Sequence, residues 1–138
     1  MRDKPKLNPN LTDTQKRILF DKATESPFSG KLLENHETGD YMCAACGAVV
    51  FKSNTKFDSG SGWPSFYDAA NTKAVKLVPD DSFGMRRTAV ECANCGSHLG
   101  HLFADAPETP TGQRFCINSA ALDFKPIKGD GGKNEVSV

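Results

Sequence analysis

The rhythm of apolar and polar positions changes near residue 27. Before it, "TDTQKRILFDKAT" places Ile18 and Leu19 as a small apolar face on a short helix. Thr12 and Gln15 stand at capping-box spacing, which marks the start of that helix. Residues 1–10 are polar with two prolines and are expected to form a flexible lead. Pro27 closes the helical stretch, and "SPFSG" reads as a turn. Beyond it, short apolar runs separated by turn residues predict strands. "KLLENHETGDYMC" reads as a hairpin around Thr38, Gly39 and Asp40. "AVVFKS", from Ala48 to Ser53, is a β segment, and the Gly- and Ser-rich "SNTKFDSGSGWPSF" is an ordered loop. "AVKLV" (Ala74 to Val78) and "GMRRTAVEC" (Gly84 to Cys92) are strands joined by a turn at Pro79, Asp80 and Asp81. "QRFCINSAALDF" is one further β candidate. The pattern predicts one mainly β, antiparallel domain over residues 11–124, with a short N-terminal helix and a flexible, polar tail over 125–138.

Length and charge narrow the classes. A chain of 138 residues fits one domain. Lys and Arg total 17 and Asp and Glu total 17, so the net charge is zero, which speaks against a general nucleic-acid binder. No apolar run approaches the roughly 18 residues of a membrane helix. The charged start lacks the apolar stretch of a secretory signal. A soluble, cytoplasmic protein is expected, in which five cysteines are reduced, metal-bound or catalytic rather than structural disulfides.

Four of the cysteines form two matching units, "YMCAACG" with Cys43 and Cys46, and "VECANCG" with Cys92 and Cys95. A C-x2-C turn lets two thiolates converge on one ion, and the glycine after it supplies a permissive backbone. Two such knuckles make a tetrahedral four-sulfur zinc site. The long separation of the pairs has the metal staple two distant hairpins. A redox CxxC would open a helix in a βαβ setting, whereas these two sit at predicted strand ends. Cysteines packed as small apolar side chains are the other alternative. With all four positions filled by protein, the Zn2+ is expected to be structural.

The fifth cysteine lies in "GQRFCINSAAL". Read as a strand, this stretch puts Arg114, Cys116 and Asn118 on one face and Phe115 and Ile117 on the core face. A guanidinium beside a cysteine favours the thiolate. A strand cysteine that merely follows an arginine is the bland alternative. "SHLGHLF" adds His98 and His101, a ready source of protons. Three apart in a straight strand they point to opposite faces, so Gly100 would have to break the strand for both to reach one pocket. They could equally be ordinary surface histidines. "SGSGWPSF" holds the single tryptophan, Trp63, on a loop constrained by Gly60, Gly62 and Pro64. Such a residue forms a recognition wall or plugs the core under the loop.

Taken together, "YMCAACGAVVF", "KFDSGSGWPSF", "ECANCGSHLGHLF" and "GQRFCINSAAL" closely resemble the methionine sulfoxide reductase B family, in order, over about residues 26 to 124. The resemblance implies a fold of two antiparallel sheets and reduction of the R epimer of methionine sulfoxide in oxidised proteins or peptides. It implies that Cys116 is the nucleophile, with His98, His101, Arg114 and Asn118 around it. Trp63 and Phe103 match the aromatic wall that holds the substrate methyl group, and Cys43, Cys46, Cys92 and Cys95 match the zinc ligands. It implies a thiol reductant as partner, with no nucleic acid and no membrane; a monomer is expected. One departure matters. Many members carry a resolving cysteine, often where this chain has Ser61, and no cysteine other than Cys116 itself lies outside the two pairs. The expectation is that an external thiol, such as thioredoxin, glutaredoxin or a small thiol, reduces the Cys116 sulfenic acid directly. A zinc-ribbon binding module and a Cys–His hydrolase are the rival classes.

Overall fold

The computed structural model describes residues 7–81, 84 and 86–127. The first element is helix α1, Asp13–Asp21. Its start is the expected capping box: the Gln15 N–H donates to Thr12 Oγ1, and the Thr12 N–H donates to Gln15 Oε1. Ile18 and Leu19 are each 2% exposed. Burying two such side chains stabilises the helix by about 3–6 kcal/mol, against about 1 kcal/mol for the cap. Docking, not local propensity, therefore holds α1.

Nine strands follow among the described residues: β1 Gly39–Cys43, β2 Val49–Lys52, β3 Lys56–Phe57, β4 Ser65–Phe66, β5 Val75–Asp80, β6 Arg87–Cys92, β7 His98–Phe103, β8 Arg114–Ile117 and β9 Leu122–Pro126. They form two antiparallel sheets, one of three strands in the order β2-β1-β9 and one of six in the order β3-β4-β8-β7-β6-β5. The mainly β class with two antiparallel sheets and one short helix is thus as expected. Aromatic rings join the layers. Tyr41 meets Phe66 edge-on at 5.0 Å, and Phe51 stacks on Phe66 at 4.5 Å and meets Phe115 at 5.5 Å. Tyr41 and Phe51 come from the small sheet, Phe66 and Phe115 from the large one.

Four local expectations are corrected. There is no hairpin around Thr38–Asp40: β1 begins at Gly39 and pairs with both β2 and β9. Gly39 is needed for close approach, since a Cβ there would meet the Lys125 carbonyl and the Phe124 ring. The Pro79–Asp81 turn is displaced, because Pro79 and Asp80 continue β5 opposite Thr88 and Arg87. Strand β5 is the sheet edge, where proline's missing N–H costs no ladder bond. The reversal itself includes residues 82, 83 and 85, outside the described set. The "QRFCINSAALDF" stretch is two strands in different sheets, β8 and β9, hinged by a 3-10 turn at Ser119–Ala121. The Gly- and Ser-rich loop contains the short β3–β4 ladder. Strand β9 runs on to Pro126; the lead at 1–6 and the tail from 128 lie outside the described residues.

Candidate active site and metal centre

The two knuckles are built alike. In each, the first cysteine's N–H donates to the carbonyl five residues on (Cys43 to Ala48, Cys92 to Ser97). In each, the following glycine's N–H returns to that cysteine's carbonyl (Gly47 to Cys43, Gly96 to Cys92). Gly47 and Gly96 hold φ of 83° and 81°, left-handed angles that a side chain would strain. The four sulfurs lie within 4.8 Å of one another. Cys43 and Cys95 are 3.7 Å apart at sulfur, and Cys46 and Cys92 3.6 Å. A tetrahedron of sulfurs about 2.3 Å from a central zinc has edges of about 3.8 Å, so the cage fits such an ion. Hydrogen bonding between the Cys43 and Cys92 thiols pushes Cys43 far up and pulls Cys92 down to about 5. The cluster could therefore hold a metal ion. It joins the end of β1 in the small sheet to the end of β6 in the large one.

Cys116 lies at the centre of the large sheet, on β8 between β4 and β7. Its register neighbours are Ser65 on one side and His101 on the other, so their side chains share its face. Phe115 and Ile117 are buried on the opposite face. Arg114 donates through Nη1 to the Cys116 sulfur. Its Nε and Nη2 grip Asp105 at 2.9 Å each, and its guanidinium lies 4.6 Å over the Phe103 ring. That bidentate bond raises the Arg114 pKa and lowers that of Asp105. The Ser61 and Ser65 hydroxyls stand 3.5 and 3.9 Å from the sulfur.

A pocket of about 240 Å3 opens over this face, lined by Cys116, His101, Trp63, Phe103, Arg114 and Arg87. Asn118 also borders it but uses its amide on backbone: Nδ2 donates to the Leu99 carbonyl and Oδ1 accepts from the Glu25 N–H. Trp63 is fixed by its Nε1–H, which donates to the Glu25 carbonyl at 3.0 Å. His101 holds Asp80 Oδ2 at 2.7 Å through Nε2. Asp80 also meets Arg87 at 3.6 Å. Sequence reasoning missed Asp80 because it placed that residue in a turn; reading proline as an edge-strand residue would have carried it onto β5.

The two histidines do come together, by another route than a broken strand. Val90 pairs with Gly100 and Glu91 with His98, so Leu99 is an extra residue, a β-bulge that resets the alternation. The rings lie 5.3 Å apart. Gly100 serves approach: a Cβ there would strike the Cys116 carbonyl. His98 does not line the pocket. It is 2% exposed and neither ring nitrogen has a partner. Burial first, then the charge of His101, pushes its pKa from 6.5 down to about 4. The folded value lies below the unfolded one, so its contribution to stability is complete above pH 6.5 and is lost as pH falls toward 4. The loss amounts to on the order of 3 kcal/mol. Denaturant titrations at pH 7.5 and 5 should show wild type losing more stability than His98→Leu. The comparison cancels the acid sensitivity of the thiol cluster, and equal losses would contradict this account.

A β scaffold presenting one lone thiol between an imidazole, a guanidinium and aromatic walls, with a separate four-sulfur cluster, is an arrangement suited to thiol chemistry. Comparison narrows it. A family model described as the SelR domain matches residues 11–126. The peptide methionine sulfoxide reductase MsrB of Leifsonia xyli is 55% identical over 116 residues, 84% of each chain. That of Methanosarcina mazei is 54% identical over 125 residues, 91% of this chain and 89% of its own. The mitochondrial methionine-R-sulfoxide reductase B3 of Mus musculus is 48% identical over 120 residues, 87% of this chain and 47% of its own. The chain belongs to the methionine sulfoxide reductase B family. Among the described residues, no helix is long and apolar enough to cross a membrane.

Proposed function

We propose that this oxidoreductase, a peptide-methionine (R)-S-oxide reductase by family, repairs oxidised proteins through Cys116 as nucleophile. The supporting observation is the placement of Cys116 and His101 directly across two paired strands, in a pocket walled by Trp63 and Phe103. The aromatic rings suit the methyl and sulfur of the side chain. The Cys116 thiolate adds to the sulfoxide sulfur while His101 protonates the oxygen, which is otherwise a poor leaving group. The S–O bond breaks and the oxygen leaves as water. Water then attacks the Cys116 sulfur, and the new S–S bond breaks with its electron pair going to methionine. Methionine departs as the thioether, and Cys116 is left as a sulfenic acid with one proton released. Asp80 holds the His101 ring in place. Arg114, gripped by Asp105, sets a cation against the sulfur, and Asn118 ties the pocket's wall to β7. His98 acts from beneath His101. The Ser61 and Ser65 hydroxyls are close enough to bond the sulfenic oxygen. An external thiol, from thioredoxin, glutaredoxin or a small molecule, displaces water from the sulfenic acid, and a second thiol releases Cys116. The four-cysteine cluster holds one zinc ion and stays outside this cycle.

The test uses each sulfoxide epimer separately, first with dithiothreitol and then with thioredoxin. The R epimer should be consumed and the S epimer left. Mass spectrometry after one turnover without reductant should find one added oxygen, or its adduct, on Cys116. An intramolecular disulfide in that sample would sink the external-thiol step.

A further inference from the structure

Between α1 and β1 the chain runs over residues 22–38 without a strand or an α-helix. Glu25 lies in this stretch and makes three bonds to the walls of the site. Its N–H donates to Asn118 Oδ1 at 3.0 Å. Its carbonyl accepts the Trp63 indole N–H at 3.0 Å. Its carboxylate Oε1 accepts the Ala120 N–H at 3.0 Å. The second carboxylate oxygen, Oε2, is buried without a partner. A Cβ on Gly30 would strike Ser119 Oγ and come within 2.6 Å of that oxygen, so the carboxylate lies between Gly30 and the Ser119–Ala121 turn. A buried carboxylate oxygen with no partner is a cost to folding, so stability does not account for the side chain. Its neighbours do. Thr24, Trp63 and Asn118 all border the pocket over Cys116.

We propose that Glu25 is a positioning residue: its carboxylate, moored on the Ser119–Ala121 turn, sets its own carbonyl where it holds the Trp63 ring against the substrate. This rests on the reductase reading and adds a residue to the same site. Trp63 needs such a hold. It borders the pocket over Cys116 and also a second cavity of about 310 Å3, which Lys56, Phe57 and Ser59 help to line. Among the described residues no other aromatic ring stacks on it. With open space beside it the ring is free to tilt, and the indole bond sets its angle. That bond is only as well placed as the carbonyl that accepts it. The Asn118 bond ties residue 25 to the end of β8, and the carboxylate ties it to the turn beyond. Two ties around one carbonyl fix both its position and its direction. With the carboxylate gone, residue 25 pivots on Asn118. A displaced ring weakens the grip on substrate, whereas His101 is held separately by Asp80.

Trp63 is the only tryptophan, so its fluorescence and its indole N–H resonance report on this contact alone. In Glu25→Ala the emission should move to longer wavelength and the indole proton should exchange faster. The single turnover of pre-reduced enzyme on N-acetyl-methionine-R-sulfoxide amide, without added thiol, separates binding from chemistry. The half-saturating concentration should rise about tenfold, as for one lost hydrogen bond, with the saturating rate within about threefold of wild type. Glu25→Gln keeps an acceptor for the Ala120 N–H and should match wild type in every readout. Glu25→Asp, one methylene short of that N–H, should resemble Glu25→Ala. Trp63→Phe lacks the indole N–H, so adding Glu25→Ala to it should raise half-saturation by less than about twofold further. Wild-type emission and half-saturation in Glu25→Ala, no rescue by Glu25→Gln, or additive effects with Trp63→Phe would overturn the proposal. Should Glu25→Ala fail to fold, the Gln and Asp variants decide by the same readings, and an Asp variant indistinguishable from wild type would overturn it. A wild-type chain that reduces neither epimer, while Trp63 emission still depends on Glu25, would instead overturn the reductase reading alone.

Discussion

Cys116→Ser should bring methionine-R-sulfoxide reduction down to the level of the blank while leaving the fold and the metal content unchanged. The chemical half of this expectation follows from the nucleophile. A serine hydroxyl is not ionised near neutral pH, and oxygen cannot take up a further oxygen as sulfur does in forming a sulfenic acid. Every other member of the site would remain: His101 across the strand pair, Arg114 against the new hydroxyl, Trp63 and Phe103 around the pocket. Positioning alone would then be left without a reaction to position. The structural half follows from size and partners. Cys116 is 9% exposed and already lies among hydroxyl and guanidinium groups, so a slightly smaller polar atom finds hydrogen-bond partners. The cost should stay below about 1.5 kcal/mol, as for other near-isosteric exchanges. Turnover on each epimer, circular dichroism and metal analysis of the same preparation check both halves. Normal activity in the variant would remove Cys116 from its assigned role.

What was legible in the sequence was what depends on few consecutive residues. The capping box of α1 spans four positions, and each knuckle needs only two cysteines and a glycine. The alternation in "RFCIN" was enough to put Phe115 and Ile117 in the core and Cys116 on the other face. Features set by register between distant strands were not legible. Asp80 reaches His101 only because β5, β6 and β7 align with Asp80 opposite Arg87 and Ala89 opposite His101. Ser65 reaches Cys116 only through the β4–β8 pairing. The meeting of His98 with His101 turns on a bulge at Leu99, which no residue type announces. The strand break at Ser119–Ala121 was hidden for a similar reason. Small residues permit a turn there, but the separate sheets to which β8 and β9 belong are what require it.

Removing the metal should unfold the protein rather than merely slow it. The cage fastens β1 of the small sheet to β6 of the large sheet, and Cys43 and Cys92 are fully buried within it. A structural zinc in a four-thiolate site contributes about 10–16 kcal/mol of apparent binding free energy in small zinc domains at neutral pH. The whole stability of a domain is about 5–15 kcal/mol. Even a fraction of the metal's contribution therefore decides whether the two sheets remain docked. Purified protein should carry close to one zinc per chain. Treatment with a strong chelator, or Cys92→Ser, should lower the melting temperature by well over about 10 °C. Activity should fall with it, because β7, which carries His101, begins only three residues beyond Cys95. Loss and recovery on adding zinc back should track the folded fraction, not a change in the chemistry at Cys116. A metal-free preparation with an unchanged melting temperature and full turnover would show that the thiol cage is not what holds the sheets together.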